Sequence, residues 1–305
     1  MQKIGWDAFA KPDSSDSDLA RERLCGDKAI DGIIFDRTQK NGLVLTRTKV
    51  HSESAAKKLG VCVGHYRTIE ADIDFSLLPH QTKEEIIRLL SFYLNEFCRK
   101  LTGKKAKLTS VLLVGCGNRK ITTDALGPRV IEQMEATAFP PIRRGARAEY
   151  AGHAITYLSA PGVCADTGYD IIAPVSGILQ NHDIDWVIAV DALCAASCER
   201  IGRVIQITDA GILPGSGSAR SHSALTEESL GIPVVAVGIP TVSRAGTFFR
   251  EMIGAEPLSA VPHFMKLAPF VENYYIFPRN SLASVDCGIM LLSRALHAVL
   301  GTGDF

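Results

Sequence analysis

The sequence predicts an α/β fold, in which a mostly parallel β-sheet carries helices on both faces and a β-rich N-terminal part packs onto the same sheet. Short continuous apolar runs such as Ser110–Val114 are typical of strands that are buried on both faces. After residue 107 helical stretches separate most of these runs, which is the strand–helix–strand order of parallel sheets. Before that point the runs are separated by turns, as in antiparallel hairpins.

The composition excludes several classes of protein. The chain has 305 residues, 46% of them hydrophobic, and its 33 Lys+Arg balance its 33 Asp+Glu. A formal net charge of zero argues against nucleic-acid binding, which usually requires a basic excess. The apolar runs fall short of the ~20 residues of a membrane-spanning helix, and the N-terminus has no apolar signal region. We therefore expect a cytoplasmic protein that does not insert into membranes.

The eight cysteines are scattered and form no Cys-x-x-Cys pair, so we expect reduced, mostly structural thiols. Cys194 and Cys198 are spaced to share a helix face, but no further soft ligands lie nearby for zinc. The polar residues 1–18 predict a flexible tail and residues 19–305 a single domain, divided into a β-rich part (19–105) and an α/β core (106–305).

The β-rich part is predicted element by element. Two strands, Ile30–Phe35 and Gly42–Val50, flank an Asn41-Gly42 turn, and a short helix ends at Gly60 before a third strand. Thr82 and Glu85 have the spacing of a capping box, which predicts that a helix begins there. The apolar face of this helix comprises Ile86, Leu90, Tyr93, Leu94 and Phe97.

The core is predicted to alternate strands with helices. The strands are Ser110–Val114, Ala154–Leu158, Trp186–Val190, Val204–Ile207 and Val234–Ile239. The helices are Ala125–Ala136, Gly168–Gln180, Ala192–Ile201 and about Ser281–Leu300.

Three aspartates follow strands of this core. Asp124, Asp191 and Asp209 each come after a predicted strand, so in a parallel sheet all three would lie at its carboxyl edge, where ligands bind. A single aspartate there is usually a helix N-cap. Two carboxylates held close together can instead divide the roles of base and acid, which peptide hydrolysis requires. From spacing alone both interpretations stay open.

Other motifs are weaker. Gly115-x-Gly117 begins like a dinucleotide fingerprint, but Lys120 occupies the position of the third glycine. The loop Pro214–Gly217 has the composition of an anion-binding nest or of a mobile loop. No Gly-x-Ser-x-Gly elbow occurs, no histidine is marked as a partner for Cys116, and no His-Glu-x-x-His spacing calls for a metal. We therefore expect no cofactor.

At these residues the chain resembles the germination (spore) protease family. The resemblance covers about Asp18 to Leu300 in order. It is carried by the blocks Leu113–Asn118, Thr123–Pro128, Ile188–Leu193, Ile205–Gly217 and Leu230–Val242, together with Ala160–Val163.

The resemblance implies a cytoplasmic endopeptidase of the spore core, with a fold like that of the hydrogenase-maturation proteases. Such enzymes degrade small acid-soluble spore proteins at germination, form homotetramers, and are made as zymogens that remove a short propeptide. The catalytic aspartates fall on Asp124 and Asp191, and the processing site falls between Asp18 and Leu19. Weaker candidates for binding or supporting roles are Asn118, Asp209, Gly215, Ser216 and Gly217.

Two departures from the family pattern concern substrate choice and assembly. The chain is shorter than typical members between Val242 and Tyr274, and Ser218–Ser223 replaces a basic stretch. Two other functions stay open: a metal-assisted maturation peptidase of the related fold, and a non-catalytic relative that binds an anion or small ligand.

Overall fold

The computed structural model describes residues 31–138, 152–214, 224–253, 271 and 274–302. The predicted tail, the processing site at Asp18 and Leu19, and the loop residues Gly215, Ser216 and Gly217 lie outside these ranges.

The strands of the described residues form one sheet in the order β1-β2-β3-β7-β8-β6-β4-β5, with β9 paired to β8. Their bounds are β1 Ile33–Lys40, β2 Leu43–Val50, β3 Gly64–Ala71, β4 Ser110–Gly115, β5 Ile155–Ser159, β6 Trp186–Ala195, β7 Val204–Thr208, β8 Val234–Arg244 and β9 Tyr275–Ile276.

The sheet is mixed, with a parallel half and an antiparallel half. Strands β8, β6, β4 and β5 are parallel to one another. Strands β1, β2, β3 and β7 continue the sheet through antiparallel pairs, and β7 is also antiparallel to β8. The predicted α/β class and the attachment of the β-rich part are confirmed, whereas parallel pairing is confined to one half of the sheet.

The first hairpin forms at the predicted turn. Strands β1 and β2 pair from Ile33↔Val50 to Lys40↔Leu43. Asn41 and Gly42 both have positive φ, at 55° and 77°, as a type I′ turn requires. The local turn chemistry therefore sets the register of the antiparallel half.

Helices cover both faces of the sheet. Their bounds are α1 Glu53–Leu59, α2 His80–Thr102, α3 Leu126–Glu132, α4 Cys164–Thr167, α5 Ile172–Asn181, α6 Glu227–Leu230, α7 Ala245–Ile253 and α8 Ser281–Leu300.

Strand β4 shows how the two faces divide the core. Val111 and Leu113 pack on one face with side chains of α2, α3 and α8. Leu112 and Val114 pack on the other face with Val175 of α5. A separate apolar cluster under α1 covers part of β2 and β3 on this second side.

Several helix predictions differ from the structure. The expected helix at Ala192–Ile201 is wrong, because β6 continues to Ala195 beside the long β8 and is followed by a 3₁₀ turn at Cys198–Arg200. Cys194 therefore lies in a strand and shares no helix face with Cys198. The capping box is also wrong: α2 begins at His80 after Pro79, and no side chain caps it.

The third difference is in length. Helix α3 ends at Glu132, so the predicted stretch to Ala136 is too long. The helix predicted from Gly168 begins later, as α5 at Ile172, and the separate short helix α4 ends at Thr167 before it.

Among the described residues, one helix meets the length and hydropathy needed to cross a bilayer, namely α8, and 61% of its most apolar window is buried inside the protein.

Candidate active site

The carboxyl ends of β4 and β6 meet at one place in the parallel half. Gly115 pairs with Val190 in register, and the N–H of Cys116 donates to the carbonyl oxygen of Val190 at 2.8 Å. Asp191 is the next residue along β6, and its side chain is buried. Its Oδ1 accepts a hydrogen bond from the N–H of Ala192 at 2.8 Å. The ladder between β4 and β6 thus places Asp191 beside the residue that follows β4.

The chain folds back after β4 and returns Asp124 to the same place. A 3₁₀ turn, Thr122–Asp124, leads directly into α3. Gly117 has φ +110°, and a Cβ there would lie 2.1 Å from the carbonyl oxygen of Asp124. The N–H of Asn118 donates to Asp124 Oδ2 at 2.7 Å. A glycine at position 117 is therefore required by backbone conformation and by space, and the loop that it permits holds the Asp124 carboxylate.

Helix α3 lies directly on the strand ends that carry this site. A Cβ on Gly127 would come within 2.3 Å of the carbonyl oxygens of both Cys116 and Val190. A Cβ on Gly115 would lie 2.5 Å from the carbonyl oxygen of Gly127. Gly127 was not predicted as a functional position, although its place just after Asp124 in a predicted helix was a usable signal.

Burial raises the pKa of two groups at this edge of the sheet. Burial raises the pKa of Asp124 from 3.8 to about 6, against the opposing effect of the Asn118 N–H. Burial also raises the pKa of the Cys116 thiol well above its usual value, with further contributions from the negative charges of Asp191 and Asp124. Cys116 lies between the two segments that carry the carboxylates: its N–H bonds to Val190, which precedes Asp191, and the next residue, Gly117, packs against Asp124.

Asn118 reaches Asp124 through its backbone, while its side chain faces α4. Asn118 Oδ1 accepts from the N–H of Lys120 at 2.9 Å. Asn118 Nδ2 and Lys120 Nζ each lie 3.4 Å from Asp166 Oδ2. The structure therefore brings the predicted residue Asn118 to the site as part of the loop that holds Asp124.

Asp209 does not join the pair, and the expectation that three aspartates share one edge is wrong. Because β7 is antiparallel to β8, its C-terminal end points toward the opposite edge of the sheet. Asp209 Oδ1 accepts from the N–H of His65 at 2.6 Å, and its Oδ2 lies 2.7 Å from Lys100 Nζ. Asp209 ties β7 to β3 and α2, which is a structural role.

The short connection that the structure shows explains this reversal. Residues 196–203 join β6 to β7, which is too short for the crossover of a dozen or more residues that a parallel return requires. Strand β7 therefore starts at the edge where β6 ends.

Within the described ranges, no group of three or more His, Cys, Asp or Glu side chains is arranged to hold a metal ion.

Comparison with known proteins identifies the family. The family model for germination protease matches residues 14–255, a range that contains both Asp124 and Asp191. A germination protease of Caldanaerobacter subterraneus subsp. tengcongensis is 31% identical over 320 aligned residues, which cover 94% of each chain.

Two further relatives match a smaller share of their own length. A germination protease of Geobacillus sp. is 36% identical over 226 residues, covering 73% of this chain and 59% of the relative. One of Bacillus cytotoxicus is 34% identical over 235 residues, covering 77% of this chain and 63% of the relative. The chain therefore spans about six-tenths of the length of these two proteins.

Among solved structures, the [NiFe] hydrogenase maturation protease HycI from Thermococcus kodakarensis KOD1 overlaps with a TM-score of 0.38 at 15% identity. The overlap covers 69% of this chain and 99% of that one, and a score this low supports no argument about the present chain.

The family match extends over most of the chain and includes both Asp124 and Asp191, so this chain is a member of the germination protease family of peptidases.

Proposed function

We propose that this protease is an endopeptidase that degrades small acid-soluble spore proteins during germination, and that Asp124 and Asp191 activate the attacking water. Family membership supports the peptidase activity and the link to germination. The observation that carries the catalytic assignment is the close packing of Gly127, which follows Asp124 in the chain, against the carbonyl oxygen of Val190, the residue that precedes Asp191.

In the proposed chemistry one side chain accepts a proton and the other donates one. One carboxylate accepts a proton from water as the water oxygen attacks the peptide carbonyl carbon. The other, protonated at the start, donates its proton to the leaving amine as the C–N bond breaks. With a pKa of about 6, Asp124 exchanges protons near neutral pH, which suits either role. A coupled pair titrates as a unit, so the roles are assigned to the pair.

The proposal includes processing, assembly and location. The chain is made as a zymogen that cleaves itself between Asp18 and Leu19, and it acts as a homotetramer in the cytoplasm of the spore. Its partner is the unfolded substrate protein, since a cleft at a sheet edge admits an extended peptide more readily than a folded surface. These features rest on the family resemblance.

The test is mass spectrometry of an unfolded small acid-soluble spore protein after incubation with the purified chain. Wild type is compared with Asp124→Asn and Asp191→Asn, each with and without EDTA, and the N-terminus of the enzyme is measured in the same spectra. We expect cleavage by wild type in EDTA, no cleavage by either variant, and loss of residues 1–18 from wild type.

Each alternative has its own outcome. Activity that is lost in EDTA and restored by a divalent ion would establish a metal-assisted peptidase instead. A processed wild type that cleaves nothing, but whose Tm rises with inorganic phosphate, would replace the proposal with an anion-binding protein. Cleavage by Asp209→Asn is expected, since that carboxylate lies away from the pair.

A further inference from the structure

Strand β8 contains a β-bulge next to the candidate active site. Leu193 of β6 pairs with Pro240 of β8, but the next residue, Cys194, pairs with Val242. Thr241 is therefore an extra residue in β8 with no partner in this ladder, and its side chain is buried. Bulges redirect a side chain and occur frequently beside active sites.

The redirected hydroxyl reaches the turn that carries Asp124. Thr241 Oγ1 donates a hydrogen bond to the carbonyl oxygen of Thr123 at 2.5 Å. Thr123 immediately precedes Asp124 in the 3₁₀ turn. Because β8 pairs directly with β6, this bond connects the turn that carries Asp124 to the strand neighbouring the one that carries Asp191.

We propose that Thr241 is a positioning residue for the catalytic pair: the bulge aims its hydroxyl at the Thr123 carbonyl and so holds Asp124 at a set distance from Asp191. This inference rests on the proposed function, because it assigns Thr241 a role in that same site.

The internal hydrogen bonds of the turn explain why an external anchor matters. The N–H of Asp124 donates to the carbonyl oxygen of Ile121 at 2.9 Å. The N–H of Ala125 donates to the carbonyl oxygen of Thr122 at the longer distance of 3.4 Å. On one side the turn is held by the Asn118 N–H, and on the other by Thr241. Without the hydroxyl, the Thr123 carbonyl loses its partner on β8, and the turn is free to shift relative to the sheet.

The test compares Thr241→Val, which keeps the branched shape but removes the donor, with Thr241→Ser, which keeps the donor. For the valine variant we expect kcat to fall by about ten-fold or more, because misplacing a reacting group by a fraction of an ångström is costly, while KM stays within about two-fold. We also expect its pH–kcat profile to shift, and serine to restore both kcat and the profile.

Ser243→Ala is the matched control. Ser243 lies two residues further along β8, is equally buried, and donates to the carbonyl oxygen of Ala195 at 3.0 Å. Its loss removes the same kind of bond without touching the Asp124 turn. An equal fall in kcat for Ser243→Ala and Thr241→Val, or no rescue by serine, would overturn the positioning role.

A second readout does not depend on activity. Hydrogen exchange of the Asp124 and Ala125 amides is expected to be several-fold faster in Thr241→Val than in wild type, and unchanged in Ser243→Ala. If wild type cleaves no spore protein, the proposed function fails, and amide exchange still decides whether Thr241 holds the turn. Unchanged exchange in Thr241→Val contradicts the inference even if wild type is active.

Discussion

The Asp124 side chain shows how burial prepares a carboxylate for proton transfer. Its carboxylate has lost most of its hydration and receives one backbone hydrogen bond, from Asn118, so its pKa is raised to about 6. The folded state then binds a proton more tightly than the unfolded chain does between pH 3.8 and about 6. The stability that protonated Asp124 contributes is present below this window and is lost as the pH rises through it.

The variant Asp124→Asn removes this pH dependence, because asparagine is neutral throughout. Near neutral pH we expect the variant to be more stable than wild type by on the order of 1–3 kcal/mol, and the difference to vanish below about pH 4. Thermal unfolding of both proteins between pH 4 and 7.5 measures it. The exposed carboxylate of Asp166 is the control: Asp166→Asn removes a surface ion pair with Lys120 and is expected to change Tm little. A gain in Tm for Asp124→Asn that is the same at every pH would contradict the burial argument.

The residue patterns of the sequence led to the choice of Asp124 and Asp191, but they did not predict which residues surround these side chains. Asp191 follows an apolar run that is typical of a buried strand, and parallel pairing places it beside the end of β4. Asp124 follows β4 only after a loop, and it returns to this edge because Gly117 permits the chain to fold back. Asp209 follows an equally regular run, and no local pattern reports the direction in which a strand enters a sheet. The contact of Thr241 with Thr123 depends on a bulge, which arises from tertiary pairing and leaves no period in the sequence.

At the scale of elements, the contact between α3 and the ends of β4 and β6 builds the site. Gly115 and Gly127 bring the helix backbone against the strand backbones, with no room for a methyl group on either residue. This contact sets the position of the turn before α3, and hence of Asp124, relative to β6. A substitution that separates α3 from these strand ends should therefore lower both the free energy of unfolding and the peptidase activity.

Replacing Gly127 with alanine tests this contact. The added methyl group would meet backbone oxygens that cannot rotate away, so we expect a loss of about 3 kcal/mol in the free energy of unfolding, together with loss of peptidase activity. Gly177 in α5 is the matched control, because a Cβ there meets nothing within 4 Å. Gly177→Ala should gain about 0.5–1 kcal/mol from helix propensity and retain activity. Denaturant titrations of both variants measure this, and equal effects at the two glycines would disprove the close-packing argument.

Tertiary pairing also explains which element predictions were wrong. The segment Ala192–Ile201 contains three alanines and one leucine, and its local composition permits a helix. In the structure its first half pairs with β8, which extends to Arg244, and the ladder outweighs helix propensity. Helix α2 begins earlier than its capping-box pattern predicts, since Pro79 already has a suitable φ of −58° before the first turn.

At the scale of the whole molecule, α8 joins the β-rich part to the core. On one side Arg294 Nη2 lies 3.2 Å from Glu84 Oε2 in α2. On the other side Asp286 Oδ1 lies 2.6 Å from Arg129 Nη1 in α3. Between these pairs the buried face of α8 belongs to the same apolar cluster as α2, α3 and the first face of the sheet. We predict on these grounds that residues 19–105 and 106–305 unfold together as a single domain.

Two leucines of α8 test the prediction. Leu292 is 1% exposed and Leu282 is 57% exposed. We expect Leu292→Ala to lower the free energy of unfolding by about 2–5 kcal/mol, and Leu282→Ala to lower it by less than about 0.5 kcal/mol. In a Trp6→Phe background, fluorescence follows Trp186 in the core, while far-UV circular dichroism follows all helices. Coincident transitions are expected, and separated midpoints would show that the two parts are distinct domains.

The pairing of β3 with β7 determines when the sheet can be completed during synthesis. Tyr66 pairs with Thr208, so the β1–β2–β3 meander leaves the ribosome long before the strand that covers its inner edge exists. At typical elongation rates this edge waits on the order of 10 s with its amides and carbonyls unpaired. An open strand edge is a template for association with other chains, and closing so long a loop slows folding. The edge of β3 in the nascent chain is therefore exposed to association with other chains until β7 has been made.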